Sequence, residues 1–253
     1  MIANLPMYDW PELHAATDRL WALIRDALRT DGIAAPDSLC RSDDLWADWQ
    51  SPDLLLGQTC GLPYRSRLHG KVSLIATPDY GLPGAPAGHY YSELVVAKEA
   101  SGDWGDFLDK RLAANGTDSQ SGWAAPQNHA ALTGRRFDSV IVTGSHRESA
   151  RAVAEGRADI AAIDAVTWRL IKTHQPDVAA RLRSVGRTDP TPGLPLITAP
   201  CNDAAAIAVA VGHAIAALGA LDAATLGLRG LCAIPAANYL AVPTPRLHAQ
   251  TIA

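Results

Sequence analysis

Short apolar runs that end in polar turns alternate with helix-like stripes along this chain, and that alternation leaves few architectures open. Residues 2–7 read as a strand. Asp9, Pro11 and Glu12 then open a helix, with Asp as cap, Pro in the first turn and Glu as capping-box partner. Its apolar stripe runs Leu13, Ala16, Leu20, Leu23, Ile24, Ala27, Leu28 and stops near Asp31-Gly32. Residues 38–41 read as a second strand, 43–49 as a short helix and 52–57 as a buried third strand. Strand, helix, strand, helix, strand is the grammar of a mostly parallel sheet covered by helices.

The same grammar returns in the middle of the chain. Two strand-like segments, 72–77 and 89–98, flank a turn-rich stretch rich in Pro and Gly, and the second of them reads as a crossing into another lobe. Residues 137–142 form a further strand, 146–155 a helix stopped at Gly156, 159–163 a strand, and 165–172 a helix opened by Asp164. Residues 181–187 are strand-like, and Thr188–Pro195 resembles a stiff extended connector. A strand at 196–199, a long alanine-rich helix at 204–218 and a short helix at 222–228 complete the pattern. Beyond Pro235 the chain reads as irregular.

Within this frame the stretch Asn115-Gly116-Thr117-Asp118-Ser119-Gln120-Ser121-Gly122-Trp123 stands apart. Small hydroxyl and amide residues give way to alanines at helical spacing, and Pro126 fits only an early turn, which places the helix start near 121–125. A helix start fronted by two hydroxyls and by glycines offers open N–H groups and a positive dipole end to an anion. Its bland counterpart is a solvated loop with an ordinary cap. Gln58-Thr59-Cys60-Gly61-Leu62-Pro63-Tyr64 follows the third strand directly, where open α/β sheets collect ligands, so it is a candidate wall of a site or else a plain connection.

Several function classes drop out. A net charge of −4 gives no electrostatic footprint for nucleic acid or an anionic membrane. No apolar run approaches the roughly 20 residues that span a bilayer. The chain has no P-loop, no G-x-S-x-G, and nowhere two glycines separated by one residue, so nucleotide and acyl-transfer templates fail. Cys40, Cys60, Cys201 and Cys232 are widely spaced and the eight histidines scattered, so no metal site and no cofactor is expected. The four thiols read as reduced, although two bridges are open to an exported protein. The start at Met1 has no basic n-region and meets Asp9 and Glu12 at once. As written, the chain is expected in the cytoplasm; with a leader upstream, it is expected in the periplasm.

The paired pattern Asn115…Ser119-x-Ser121-Gly122 and Thr143-Gly144-Ser145-His146…Gly156-x-Ala158-Asp159-x-Ala161-Ala162-x-Asp164 resembles the phosphate, phosphite and phosphonate solute-binding proteins of ABC importers. The resemblance spans nearly the whole chain. It implies a two-lobed α/β fold of the periplasmic-binding-protein type II, each lobe a mostly parallel sheet flanked by helices, with the ligand in a cleft between them. The first lobe is then discontinuous, 1–90 plus 188–253, the second is 91–187, and the crossings lie near 88–95 and 186–195. Ser119, Ser121 and the Gly122 amide are implied as the anion site, with Ser145 and His146 at a second helix start facing it. Asp164 is implied where a ligand amine can be met, and Tyr8, Gln58, Thr59 and Tyr64 on the opposite wall. Each of the two acidic and basic candidates has a bland role as well: His146 as an extension of its helix cap, Asp164 as a cap. Tyr90, Tyr91 and Ser92 fall at the expected crossing as hinge or wall residues, and Trp10, Trp123 and Trp168 are open to either an aromatic wall or packing.

The resemblance implies a monomeric binding protein that takes a small phosphonate- or phosphate-like anion and hands it to an importer permease. The alternative is a cytoplasmic enzyme on the same fold, acting on a small carboxylate or phosphate-bearing metabolite as in menaquinone-pathway or pyrimidine-synthase relatives. No acid/base pair or cysteine cluster in the sequence supports catalysis. A ligand-sensing regulator domain is the weakest reading, as no helix-turn-helix accompanies it.

Overall fold

The computed structural model describes residues 1–246. The chain divides into two compact units: Met1–His89 with Pro192–Ala241, and Tyr90–Thr191 with the chain from Val242 on. In chain order the strands are β1 (Ile2–Asn4), β2 (Leu54–Gln58), β3 (Ser73–Asp79), β4 (His89–Tyr90), β5 (Ser92–Ala97), β6 (Leu112–Ala114), β7 (Val140–Val142), β8 (Ile160–Asp164), β9 (Leu182–Arg187), β10 (Thr191–Pro192), β11 (Leu196–Thr198) and β12 (Gly230–Cys232). The helices are α1 (His14–Thr30), α2 (Leu45–Trp49), the single turn α3 (Gly61–Pro63), α4 (Ala125–Ala131), α5 (His146–Ala154), α6 (Ala165–His174), α7 (Pro176–Ala180), α8 (Ala204–Ala217), α9 (Ala220–Leu226) and α10 (Ala236–Leu240).

The first unit carries the sheet β1-β2-β11-β3-β12. Strands β1, β2 and β3 run one way; β11 and β12 run the other. Every residue of β2 is buried, which is why 54–58 reads as an unbroken apolar run instead of alternating. Helix α1 lays Leu20, Trp21, Ile24 and Leu28 against Leu55 and Leu56, and α8 adds Ile207 and Val211 to the same core. Two local expectations fail here. Asp9 does not cap α1, which starts at His14 behind Leu13 with no side-chain cap. Its carboxylate goes instead to Arg41, which also reaches Asp18. Residues 38–41 form no strand, because a single backbone bond, Cys40 N to Ala3 O at 2.7 Å, is all that ties them to the sheet edge.

The second unit carries the sheet β7-β6-β8-β5-β9. Strands β6, β7, β8 and β9 run one way and β5 the other. The central β8, like β2, is buried throughout. Strand β7 is shorter than the 137–142 expected from sequence, and the alanine-rich β6 was not legible at all.

The chain leaves the first unit at His89 and re-enters at Pro192, and the two crossing segments pair as the β4–β10 ribbon. Beside them Gly193 N donates to Gly88 O at 2.8 Å. A Cβ on Gly193 would sit 2.7 Å from that carbonyl, so only glycine lets the two backbones approach this closely. Farther on, α10 is fixed in the first unit by Tyr239, whose buried hydroxyl lies 2.6 Å from Thr77 Oγ1. The tail from 242 was expected with the first lobe. Its described part groups with the second unit instead, where Asn128 Nδ2 donates to Pro243 O at 2.9 Å; residues 247–253 lie outside the described residues. None of the four cysteines is bridged. Among the described residues, no single helix is long and apolar enough to cross a membrane.

Candidate functional site

Three elements of the second unit end at one place. Strand β6 runs into the loop 115–119, and the helical turn beyond it begins at Gln120, slightly earlier than sequence suggested. That turn is wide: Ala124 N bonds Ser119 O and Ala125 N bonds Gln120 O, each five residues back. A wide turn directly before Pro126 absorbs the ring and its missing donor without breaking the helix, and such turns recur at functional sites. Strand β7 leads through Thr143 to α5, and β8 ends at Asp164, which opens α6.

Ser119 caps the wide turn in extended backbone conformation, its Oγ accepting from Gly122 N at 3.1 Å. The Gly122 amide, expected in the anion site, is therefore already bonded within the loop. Glycine is needed at 122 for another reason, since an added Cβ would lie 1.9 Å from Asn115 Oδ1. That Oδ1 is itself buried without a hydrogen-bond partner. Ser121 is 5% exposed, and its Oγ lies 2.7 Å from His146 Nε2 and 3.5 Å from Ser119 Oγ. Ser145 caps α5 by accepting from Glu148 N at 3.1 Å. Thr143 ties the ends of β7 and β6 together through Ala114 O and meets Ser149 Oγ at 2.6 Å.

Asp164 is 3% exposed and works as a cap. One carboxylate oxygen accepts from Thr167 N at 2.9 Å and the other from the Thr167 hydroxyl. The second oxygen also lies 3.5 Å from His146 Nε2. Capped and buried in this way, it does not present the open carboxylate that a ligand amine requires; its reach is to His146. The Ser121–His146–Asp164 cluster is not a proton relay either. Both Ser121 and Asp164 address the same imidazole nitrogen, whereas a relay needs the base to take a proton on one nitrogen and be oriented through the other.

Burial lowers the pKa of His146, only partly offset by the Asp164 carboxylate and the Ala162 backbone. The imidazole is thus neutral near neutral pH. The unfolded chain takes up the proton below the ordinary value of 6.5, and the native state resists it. This contribution to stability is therefore full above about 6.5 and is lost as pH falls toward the native value. Unfolding measured in urea across about pH 5–7 should show stability rising with pH, and His146→Gln should flatten that slope. His129, half-buried beside Trp104, is shifted the same way by desolvation and adds to the slope. An unchanged slope in the variant would show that His146 titrates normally.

The first-unit candidates separate into two groups. Tyr8 packs edge-on against Tyr80 with ring centroids 5.0 Å apart, and Gln58 Nε2 donates to the Tyr80 hydroxyl at 3.2 Å. These three line a small cavity closed by Leu20, Ile24 and Val211. Tyr80 was missed because it sits in a turn-rich stretch where a lone aromatic carries no signal. Thr59 is fully buried at the end of β2, its hydroxyl without a partner and its N–H bonded to Pro195 O. Tyr64, expected on a site wall, is a core residue: 2% exposed, it stacks edge-on against Tyr239 within the cluster of Trp49, Leu54 and Leu68. Among the described residues no group of three His, Cys, Asp or Glu side chains converges as a metal ion requires.

Comparison with known proteins places this arrangement. The profile of the family described as "ABC transporter, phosphonate, periplasmic substrate-binding protein" matches residues 56–228. No curated protein sequence matches the chain. Among solved structures, a Xanthomonas citri protein bound to chloride ion is 15% identical, with TM-score 0.69 over 96% of this chain and 98% of its own. PhnD1 from Prochlorococcus marinus in complex with methylphosphonate is 15% identical, with TM-score 0.67 over 89% of this chain and 90% of its own. A binding protein component of an ABC phosphonate transporter from Pseudomonas aeruginosa is 18% identical, with TM-score 0.64 over 92% of this chain and 81% of its own.

Proposed function

Because the chain belongs to the phosphonate periplasmic substrate-binding proteins of ABC transporters, we propose that its second unit grips a phosphonate-like oxyanion with the hydroxyls of Ser119 and Ser121. The family binds and delivers solute to a transporter and is not a family of enzymes. The family is periplasmic, which agrees with the expectation for a chain with an upstream leader and corrects the cytoplasmic one.

The observation that carries the reading is that two buried serine hydroxyls, with Oγ atoms 3.5 Å apart, meet at one helix start. Ser119 Oγ receives the Gly122 N–H, and Ser121 Oγ faces His146 Nε2 at 2.7 Å. With the imidazole proton on Nε2, the nitrogen that also faces the Asp164 carboxylate, Ser121 accepts from His146. Each serine then has its O–H left to donate. Two hydroxyl donors at a helix start suit a tetrahedral oxyanion, whose several oxygens can be met at once. In this reading His146 and Ser145 flank the anion, and Asp164 holds His146.

Titration calorimetry tests it directly. Methylphosphonate should fill one site at least about tenfold more tightly than chloride, because a halide cannot engage both hydroxyls along separate oxygens. An aminoalkyl phosphonate should gain nothing over methylphosphonate, since Asp164 is spent on capping. Equal affinity for methylphosphonate and chloride, or no binding of either, would end the reading.

A further inference from the structure

The loop that carries Ser121 is tied to the two places where the chain enters and leaves the second unit. Ser92, the first residue of β5, lies two residues beyond the entry at Tyr90, and Thr188 lies three residues before the exit at Thr191. Ser92 is 1% exposed and Thr188 3% exposed. The Ser92 hydroxyl donates to Ser121 O at 2.9 Å. Ser92 N in turn donates to Thr188 Oγ1 at 3.0 Å, and Thr188 N donates back to Ser92 O at 2.9 Å. In the β5–β8 ladder Ser92 stands opposite Asp164, so the two side chains share a face of the sheet. The same short strand end therefore meets the serine loop on one side and the residue that holds His146 on the other.

We propose that Ser92 and Thr188 are positioning residues for the anion site, and that through them occupancy of the serine loop is coupled to the crossing segments. The inference rests on the reading of residues 119–121 as that site. The chemistry is specific. A donor on Ser92 fixes the carbonyl of Ser121, and with it the direction of the Ser121 hydroxyl, while the reciprocal pair with Thr188 fixes Ser92 itself. All the members are buried, so water cannot replace a lost partner. A ligand that tightens the Ser121 turn tightens the two strands that leave the unit, and by linkage a change in those strands alters affinity by the same factor.

Hydrogen exchange and calorimetry together decide the matter, with methylphosphonate as the probe. In the unaltered protein the ligand should slow exchange at the amides of Ser92 and Thr188 as well as in the loop 119–124. Ser92→Ala and Thr188→Val should each weaken binding by about three- to tenfold. Each should also abolish the ligand-dependent protection at residue 188 while leaving that of the loop. Thr188→Ser, which keeps the hydroxyl, should behave as the unaltered protein; this comparison holds even if Ser92→Ala folds poorly. Unchanged affinity and unchanged protection at 188 in Thr188→Val overturn the coupling alone, whereas absence of methylphosphonate binding in the unaltered protein overturns both it and the reading on which it rests.

Discussion

Replacing Ser119 and Ser121 together by alanine should weaken methylphosphonate binding by about two orders of magnitude or more. Each hydroxyl donates to a charged oxygen, and a hydrogen bond to a charged group contributes about 1.5–3 kcal/mol. Two such bonds sum to at least about 3 kcal/mol, which is more than a hundredfold in affinity. The two serines are not equivalent. Ser119→Ala also removes the acceptor of Gly122 N, a cap worth about 0.5–2 kcal/mol of local stability. Ser121→Ala leaves the cap intact and strands His146 Nε2 opposite Asp164. Each single variant should thus lose affinity and some stability, Ser119→Ala through the lost cap and Ser121→Ala through the buried imidazole nitrogen left unmet. Calorimetry beside urea unfolding separates these effects, and wild-type affinity in a folded double variant would remove the anion site from this loop.

Trp123→Ala should cost about 3–5 kcal/mol of stability, the usual range for truncating a buried aromatic. The side chain is 1% exposed and belongs to the same wide turn as Ser121, so it is the packing weight beneath the anion loop. Removing it leaves a void that a close-packed interior fills only in part. Trp123→Phe should recover most of the loss and keep binding close to normal, because the residue packs and does not touch ligand. Urea unfolding of the second unit reads the stability. A loss below about 1 kcal/mol, or a Phe variant that folds well and binds poorly, would make Trp123 a ligand contact instead.

Much of the frame was legible because it is written in periodicity. The helix at 14–30 follows from its apolar stripe, and the buried strands at 54–58 and 160–164 from short apolar runs bounded by turn signals. The capped turn at 119–124 was legible because Ser, Asn and Gly before alanines speak to capping chemistry that acts over three residues. What failed were partnerships made across the chain. Asp9 has the right neighbours for a cap, and only the folded chain brings Arg41 to compete for it. Tyr64 has the polar setting of a wall residue, yet Tyr239, far along the sequence, closes over it. Strands β6 and β12, of three residues each, carry too little pattern to be seen. Ser92 was visible as a crossing residue, but its hydroxyl's reach to Ser121 is a fact of the third dimension.

The order of strands in the two sheets has a consequence for synthesis. Every strand of the second unit's sheet lies between residues 92 and 187, so the growing chain holds a complete set before its last quarter exists. The first unit is different: β2 and β3 are neighbours only through β11, which lies more than a hundred residues downstream of both. Until that strand emerges, two apolar strands have no mutual partner, and the edges they would offer are those that invite misassembly. Wherever the chain emerges, its sheets are completed out of order: the sheet begun first is the one that closes last.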